Sequence, residues 1–156
     1  MRRSLLFILL ALTFHACSKE EAGLPSGDYF IFGYFYDCPA ETCVEYFKME
    51  GDKLFEDSKD EYPLFGLEPE LEFKESTKTK WEMVNDLPDL IPSQLWESKE
   101  KVFGKPDFYN QGGLYVRVKQ GNKEAYWFLD KDPSHVEETF RGFVQVLNSR
   151  LAMISD

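Results

Sequence analysis

The chain has 156 residues, of which 28 are acidic and 18 are basic, and its formal net charge at pH 7 is −10. This excess of acids disfavours nucleic acid as a partner, because affinity for a phosphate backbone comes from lysine and arginine. The sequence also contains no Walker loop, no dinucleotide-binding glycine pattern, no Gly-x-Ser-x-Gly motif and no paired-histidine zinc motif. We therefore predict no cofactor and no metal.

The N-terminus has the layout of a secretory signal peptide. Arg2 and Arg3 precede an apolar run from Leu5 to Phe14 that is broken only by Thr13. The run has about half of the roughly 20 residues that a membrane-spanning helix needs. We predict a cleaved signal over residues 1–16 rather than a transmembrane anchor.

The end of this signal resembles a lipobox, in which a small residue precedes a cysteine that receives a diacylglyceryl group. Ala16 and Cys17 fit the pattern, whereas Phe14 and His15 depart from its strict form. The resemblance implies a lipid on Cys17, and secretion with a free cysteine is the alternative. Two or three acyl chains anchor a protein durably, since each buried methylene contributes about 0.8 kcal/mol. Loss of residues 1–16 would leave 16 basic against 28 acidic side chains, a net charge of about −12.

Residues 17–27 are polar and turn-rich, which predicts a lipidated flexible tether with a mean reach of roughly 17 Å. Lys19-Glu20-Glu21 resembles the surface-export signal of some Bacteroidota lipoproteins, and a merely solvated stretch is the alternative. We expect an exported protein attached to the outer membrane, on either its cell-surface side or its periplasmic side. Residues 28–156 are predicted to form a single globular domain.

Once Cys17 is assigned to lipid, Cys38 and Cys43 remain in a compartment where disulfides persist. We predict that they pair and stiffen the turn between them. Thiol redox sites usually have two residues between their cysteines, whereas this pair has four. A redox role is the minor alternative.

The first half of the domain predicts a three-stranded meander. Six aromatic residues between Tyr29 and Tyr36 indicate a strand, and Val44–Met49 leads through a glycine turn into a strand at 53–55. A short strand is expected at Leu71–Phe73. Helical turns are expected at Trp81–Leu87 and Pro92–Trp96, where prolines interrupt any longer helix.

The second half predicts a hairpin followed by a helix. Leu114, Val116 and Val118 alternate with polar residues before a turn near Gly121, and an aromatic run follows to Leu129. Asp132 is the predicted N-cap of a C-terminal amphipathic helix, because apolar residues then recur at helical spacing as far as residue 154. Together these elements predict an α+β domain with a mostly antiparallel sheet covered on one face by helices.

Two stretches, Gly104-Lys105-Pro106-Asp107 and Gln111-Gly112-Gly113-Leu114-Tyr115, resemble a group of Bacteroidota lipoproteins of unassigned activity. An early aromatic strand, a nearby cysteine pair, a hairpin ending like Trp127-Phe128-Leu129-Asp130 and a closing helix extend the resemblance over most of the mature chain. The resemblance implies the fold and the anchor, and it implies no activity.

Two candidate binding features stand out. Asp107, Gln111, Gly112 and Gly113 form a possible ligand-contact loop, since glycine permits a close approach of backbone to a ligand. An ordinary turn at the start of a strand is the favoured alternative. Tyr29, Tyr34 and Tyr36 could form a glycan-stacking platform, although such aromatics more often belong to the core. Alternation places Tyr34 and Tyr36 on the face of Phe30 and Phe32, opposite Tyr29.

No catalytic constellation is evident. Acid pairs suitable for a glycosidase are abundant, but a chain with 28 acids contains such pairs by chance. The candidate acids include Glu68, Glu70, Glu72, Glu97, Glu100, Asp130 and Asp132. Asp130-Lys131-Asp132 lacks the longer pattern of a calcium loop and is interpreted as a helix cap. His135 is the single histidine of the mature chain, and we expect it to be solvated and without the partners of a catalytic base.

The sequence therefore favours a non-enzymatic binding or interaction module, held to the membrane through Cys17, whose partner is a glycan or an envelope protein. A small envelope hydrolase that uses paired carboxylates is the first alternative. An inhibitor that presents the loop 104–113 to an enzyme is the second. The oligomeric state is left open.

Overall fold

The computed structural model describes residues 23–38, 43–64, 67–108 and 110–155. The predicted signal peptide, Cys17 and the tether as far as residue 22 lie outside the described residues. In the described part of the chain, no helix is long and apolar enough to cross a membrane.

A mixed sheet of seven strands forms the centre of the domain, in the order β4-β3-β2-β1-β6-β7-β5. Neighbouring strands are antiparallel except β5 and β7, which are parallel. The α+β fold with a mostly antiparallel sheet is therefore confirmed. The strands are β1 (Tyr29–Phe35), β2 (Val44–Glu50), β3 (Lys53–Asp57), β4 (Phe73–Glu75), β5 (Val102–Phe103), β6 (Gly113–Gln120) and β7 (Lys123–Asp130).

Helices lie on one face of this sheet. They are α1 (Lys78–Val84), α2 (Ser93–Glu97) and α3 (Glu138–Ile154), and 3-10 turns occupy Leu87–Leu90 and Pro133–His135. All three helices contribute to the larger core cluster, which contains Phe30 and Phe32 of β1 together with Trp81, Leu95 and Leu147 from the helices. The predicted covering of one face by helices is confirmed.

The opposite face of the sheet has its own smaller core. Ile31 and Phe35 of β1 pack there with Tyr46, Tyr115 and Phe128, all fully or almost fully buried. Tyr34 packs against the helix-covered core and Tyr29 against the smaller one, as strand alternation predicts. Every aromatic of β1 therefore has a packing role, which explains the density of aromatics in this strand.

Gly33 is required at the middle of β1. A Cβ atom at this position would lie 2.0 Å from the Glu45 carbonyl oxygen and 2.6 Å from the Tyr46 ring. β1 is hydrogen-bonded on both sides, to β2 and to β6. Only glycine allows the Tyr46 ring to cross the strand this closely.

The C-terminal helix begins later than predicted. Asp132 accepts a hydrogen bond from the Ser134 N–H and caps the 3-10 turn Pro133–His135, and it does not cap α3. Val136 follows in extended conformation with only 4% of its surface exposed, and α3 starts at Glu138. Val136 thus enters the core from an extended segment that separates the 3-10 turn from α3.

Cys38 and Cys43 form the predicted disulfide, with their Cα atoms 6.0 Å apart. The bond joins the end of β1 to the start of β2, beside the Tyr36 N–H bond to the Cys43 carbonyl at 2.9 Å. It therefore links the first two strands of the meander across the turn between them.

Candidate functional site

Asp107 fixes the shape of the loop between β5 and β6. One carboxylate oxygen accepts a hydrogen bond from the Gly112 N–H at 2.9 Å. The other accepts from the Asp37 N–H at 2.8 Å and from the Tyr62 hydroxyl at 2.7 Å. Asp107 and Asn110 both have left-handed backbone, with φ of 55° and 57°. Residues in this conformation persist where surrounding contacts hold them, so the loop is organised before any ligand arrives.

The two glycines of the predicted ligand-contact loop allow this loop to pack closely against β1. Gly112 has φ of 89°, and its Cβ would lie 3.2 Å from the Phe35 carbonyl oxygen. A Cβ on Gly113 would lie 2.4 Å from the tip of the Phe35 ring. Their positions match the alternative interpretation, a turn that leads into β6.

Gln111, from the same loop, lines an open cavity of about 430 Å³ together with Gly104, Lys105, Phe108 and His135. Phe108 is 48% exposed, and the Lys105 ammonium lies 5.1 Å from the centre of its ring. The lining thus offers a ring, a cation, an amide and an imidazole around one space. Pockets that bind small molecules have volumes of about 300–1,000 Å³. We call this cavity the His135 pocket.

Asp130 supports this pocket from the end of β7 and is fully buried. Its Oδ1 accepts from the Asp132 N–H at 2.9 Å, and its Oδ2 accepts from the Lys105 N–H at 3.1 Å. The same Oδ2 lies 3.2 Å from His135 Nδ1. Gly104 approaches so closely that a Cβ would lie 2.6 Å from the Asp130 Cβ, and its φ is 75°. A buried carboxylate with this many donors is a fixed part of the structure.

Asp130 gives His135 a partner that the sequence did not predict. With Nδ1–H donated to the carboxylate, Nε2 is the nitrogen that can accept a proton or a hydrogen bond. The side chain of His135 is 48% exposed, so the predicted solvent contact is correct, whereas the expectation of a histidine without partners is wrong. The amide nitrogen of Gln111 lies 3.5 Å from Nδ1, which places two polar lining groups side by side.

No protein-family model and no curated protein sequence matches this chain. Function therefore has to be inferred from the chemistry of the site itself.

The three candidate tyrosines do not share one surface. Tyr34 and Tyr36 stack with ring centres 6.2 Å apart, and the Lys131 ammonium lies 5.2 and 5.8 Å from the two rings. Burial, with the neighbouring Glu45 carboxylate, raises the pKa of Tyr34 to about 12. Tyr29 lies on the other face and donates its hydroxyl hydrogen bond to Glu124. The predicted three-tyrosine platform is reduced to a half-buried pair that contacts Lys131.

Several of the candidate acids are engaged in ion pairs and caps. Glu68 lies 2.7 Å from Arg117, and Glu70 lies 2.9 Å from Lys59. The Ser134 backbone N–H holds the pKa of the Asp132 carboxyl below its ordinary value. Within residues 23–38, 43–64, 67–108 and 110–155, no group of three or more His, Cys, Asp or Glu side chains could hold a metal ion.

The sequence indicated the segment 104–113, but it did not indicate the charged, aromatic and imidazole side chains that line the pocket. Lys105, Phe108 and His135 were not predicted as ligand contacts. Lys105 and Phe108 lie in an irregular loop without periodicity, so no pattern marks them. The spacing of Asp130 and His135 carries no motif, because only the 3-10 turn at Pro133–His135 brings them together.

Proposed function

We propose that this protein is a lipid-anchored binding module of the bacterial envelope, with its ligand site in the His135 pocket. The observation that carries the proposal is a ring, a cation, an amide and an imidazole lining one cavity. Asp107 and Asp130 fix the backbone on either side of that cavity, which reduces the ordering cost of binding.

A glycan is the ligand class that fits this lining best. Sugars present C–H faces that pack on aromatic rings and hydroxyls that exchange hydrogen bonds with amide and imidazole groups. Phe108 supplies the half-exposed ring, and Gln111 and His135 supply the polar groups. A protein partner would call for a broad contact of about 800 Å² on each side. The concave pocket favours the smaller ligand.

The envelope location is supported by the apolar N-terminal run and by the Ala16-Cys17 pair. The disulfide between Cys38 and Cys43 agrees with export, because such bonds persist in oxidising compartments. The proposal also includes attachment to the outer membrane through Cys17. It includes Lys19-Glu20-Glu21 as a surface-export signal.

Binding is tested by applying the full protein, in detergent, to an array of bacterial and host glycans. Phe108→Ala should abolish the signal of every bound glycan. Leu90→Ala is the matched control, since Leu90 is 43% exposed but does not line the His135 pocket. An array without any glycan signal, or a signal that survives Phe108→Ala, would contradict the proposed site.

Anchoring is tested separately by fractionation of cells that express wild type or Cys17→Ser. We expect the wild type in the outer membrane and the variant in the soluble fraction. Protease treatment of intact cells then distinguishes surface display from a periplasmic position. Unchanged membrane attachment of Cys17→Ser would rule out the lipid anchor.

A hydrolase is the second candidate, and the Asp130–His135 contact favours it. A histidine held by a buried carboxylate through Nδ1 can use Nε2 as a general base toward water or a hydroxyl. Such an enzyme would hydrolyse a glycan ester bound beside Gln111. Release of acetate from acetylated glycans by the wild type, reduced in His135→Gln far more than glycan binding is weakened, would favour the enzyme over the binding module.

A further inference from the structure

We propose that the His135 pocket selects acidic saccharides, with the sugar carboxylate on the Lys105 ammonium. This inference rests on the proposed function, because it names the ligand class of the same site.

The lining of the pocket contains a cation in a protein that is acidic as a whole. The chain carries a net charge of −10, yet the described residues that line this cavity include one cation, Lys105, and no acid. An acidic surface repels anions at long range, so a local cation is needed for any anionic ligand to dock. Such a contrast is the electrostatic complementarity that specific sites use.

The neighbouring carboxylates are already hydrogen-bonded. Asp130 is fully buried and contacts the Lys105 N–H, the Asp132 N–H and His135. Asp107 accepts from two backbone N–H groups and one phenol. Asp132 lies 4.0 Å from His135 Nε2 and accepts from the Ser134 N–H. None of these three carboxylates lies within 4.0 Å of the Lys105 ammonium.

The Lys105 ammonium itself has no carboxylate within salt-bridge distance among the described residues, and its recorded contact is the Phe108 ring at 5.1 Å. Five other lysines of the domain lie within 4.0 Å of an acid, namely Lys48, Lys53, Lys59, Lys78 and Lys80. Lys101 and Lys131 lie near aromatic rings without such a partner, but among the described lysines only Lys105 lines the His135 pocket. A cation without a counter-ion, beside an aromatic ring and an open cavity, is a ready partner for a ligand carboxylate.

The remaining lining groups specify a sugar acid rather than a simple anion. Phe108 can pack on the C–H face of a pyranose, while Gln111 and His135 Nε2 can hydrogen-bond its hydroxyls. A phosphate group would favour several converging donors or an arginine fork. The described lining has one ammonium and no arginine, which suits a single carboxylate.

The test measures affinities of the full protein in detergent for digalacturonic acid and for its neutral counterpart, galactobiose. We expect the acidic disaccharide to bind about tenfold more tightly, which corresponds to one charge-assisted contact. Lys105→Met should weaken the acid about tenfold and leave galactobiose unchanged. Phe108→Ala should weaken both sugars. Circular dichroism verifies that each variant is folded.

Lys101→Met is the matched control. The Lys101 ammonium also lies near aromatic rings, 5.0 Å from the Tyr126 centre and 5.9 Å from the Trp127 centre, but outside the His135 pocket. Its loss changes the net charge by the same amount as the loss of Lys105. We expect no effect of Lys101→Met on either sugar, and equal losses in the two variants would overturn the assignment to Lys105.

The outcomes distinguish failure of acid selectivity from failure of glycan binding in the His135 pocket. Equal affinities for the two sugars, both lost in Phe108→Ala, would overturn acid selectivity and preserve the binding site. A sulfated disaccharide bound more tightly than the uronate would overturn the carboxylate assignment. If neither sugar and no arrayed glycan binds, the proposed function is overturned as well.

Discussion

Replacement of Asp130 by alanine should destabilise the domain strongly, because the carboxylate is fully buried and serves three donors. The variant leaves the Lys105 and Asp132 N–H groups without an acceptor, at roughly 1–3 kcal/mol for each group. Loss of the buried charge also removes its desolvation cost, so the free energy of unfolding should fall by about 3 kcal/mol in total. Native domains are stable by about 5–15 kcal/mol, so the variant should still fold.

Urea denaturation followed by circular dichroism measures this change. With a slope of about 1.5 kcal/mol per molar urea, a loss of about 3 kcal/mol lowers the midpoint by about 2 M. Asp130→Asn keeps one acceptor oxygen, and its midpoint should fall about half as far. Asp132→Asn is the control, because asparagine caps as well as aspartate and this side chain is half exposed. A midpoint of Asp130→Ala within about 0.3 M of wild type would refute a supporting role for the carboxylate.

Three further predictions concern the fold. Gly33→Ala should cost about 3 kcal/mol, since its Cβ would meet the Glu45 carbonyl, whereas Gly142→Ala in open space on α3 should stabilise by about 1 kcal/mol. Thermal unfolding compares the two, and similar melting temperatures would contradict the β1 geometry. Reduction of the Cys38–Cys43 disulfide should lower stability by about 2 kcal/mol, measured by urea denaturation with and without reductant. Burial raises the pKa of Glu45 above its ordinary value of 4.5, so protonation stabilises the fold and this contribution disappears as pH rises through the raised pKa. Glu45→Gln should therefore be more stable than wild type at neutral pH and equal to it below about pH 4.5, and a gain that persists at low pH would contradict the burial effect.

The sheet could be predicted because its strands carry strong local patterns. Alternation in β1 assigned Tyr34 and Tyr29 to opposite faces, and the hairpin of β6 and β7 follows from alternation around a glycine turn. The disulfide follows from the number and position of the cysteines. In each case the information lies within a few neighbouring residues.

The pocket depends on contacts that no local pattern encodes. β5 has only two residues, Val102 and Phe103, too few for a periodicity, and its parallel pairing with β7 brings Gly104 and Lys105 beside Asp130. The late start of α3 is a similar case, because Val136 is buried from an extended segment although its spacing to Phe140 is helical. Tertiary packing therefore determines the site, while sequence patterns determine the sheet.

The most direct test of the account is an amide-resolved NMR titration of the full protein in detergent micelles with digalacturonic acid. We predict that the largest shifts occur at Lys105, Phe108, Gln111 and His135, the residues around one cavity. A different cavity of about 380 Å³, lined in part by Trp96 and Lys101, serves as the internal comparison. Shifts concentrated there, or no shifts at millimolar sugar, would contradict the assignment of ligand binding to the His135 pocket.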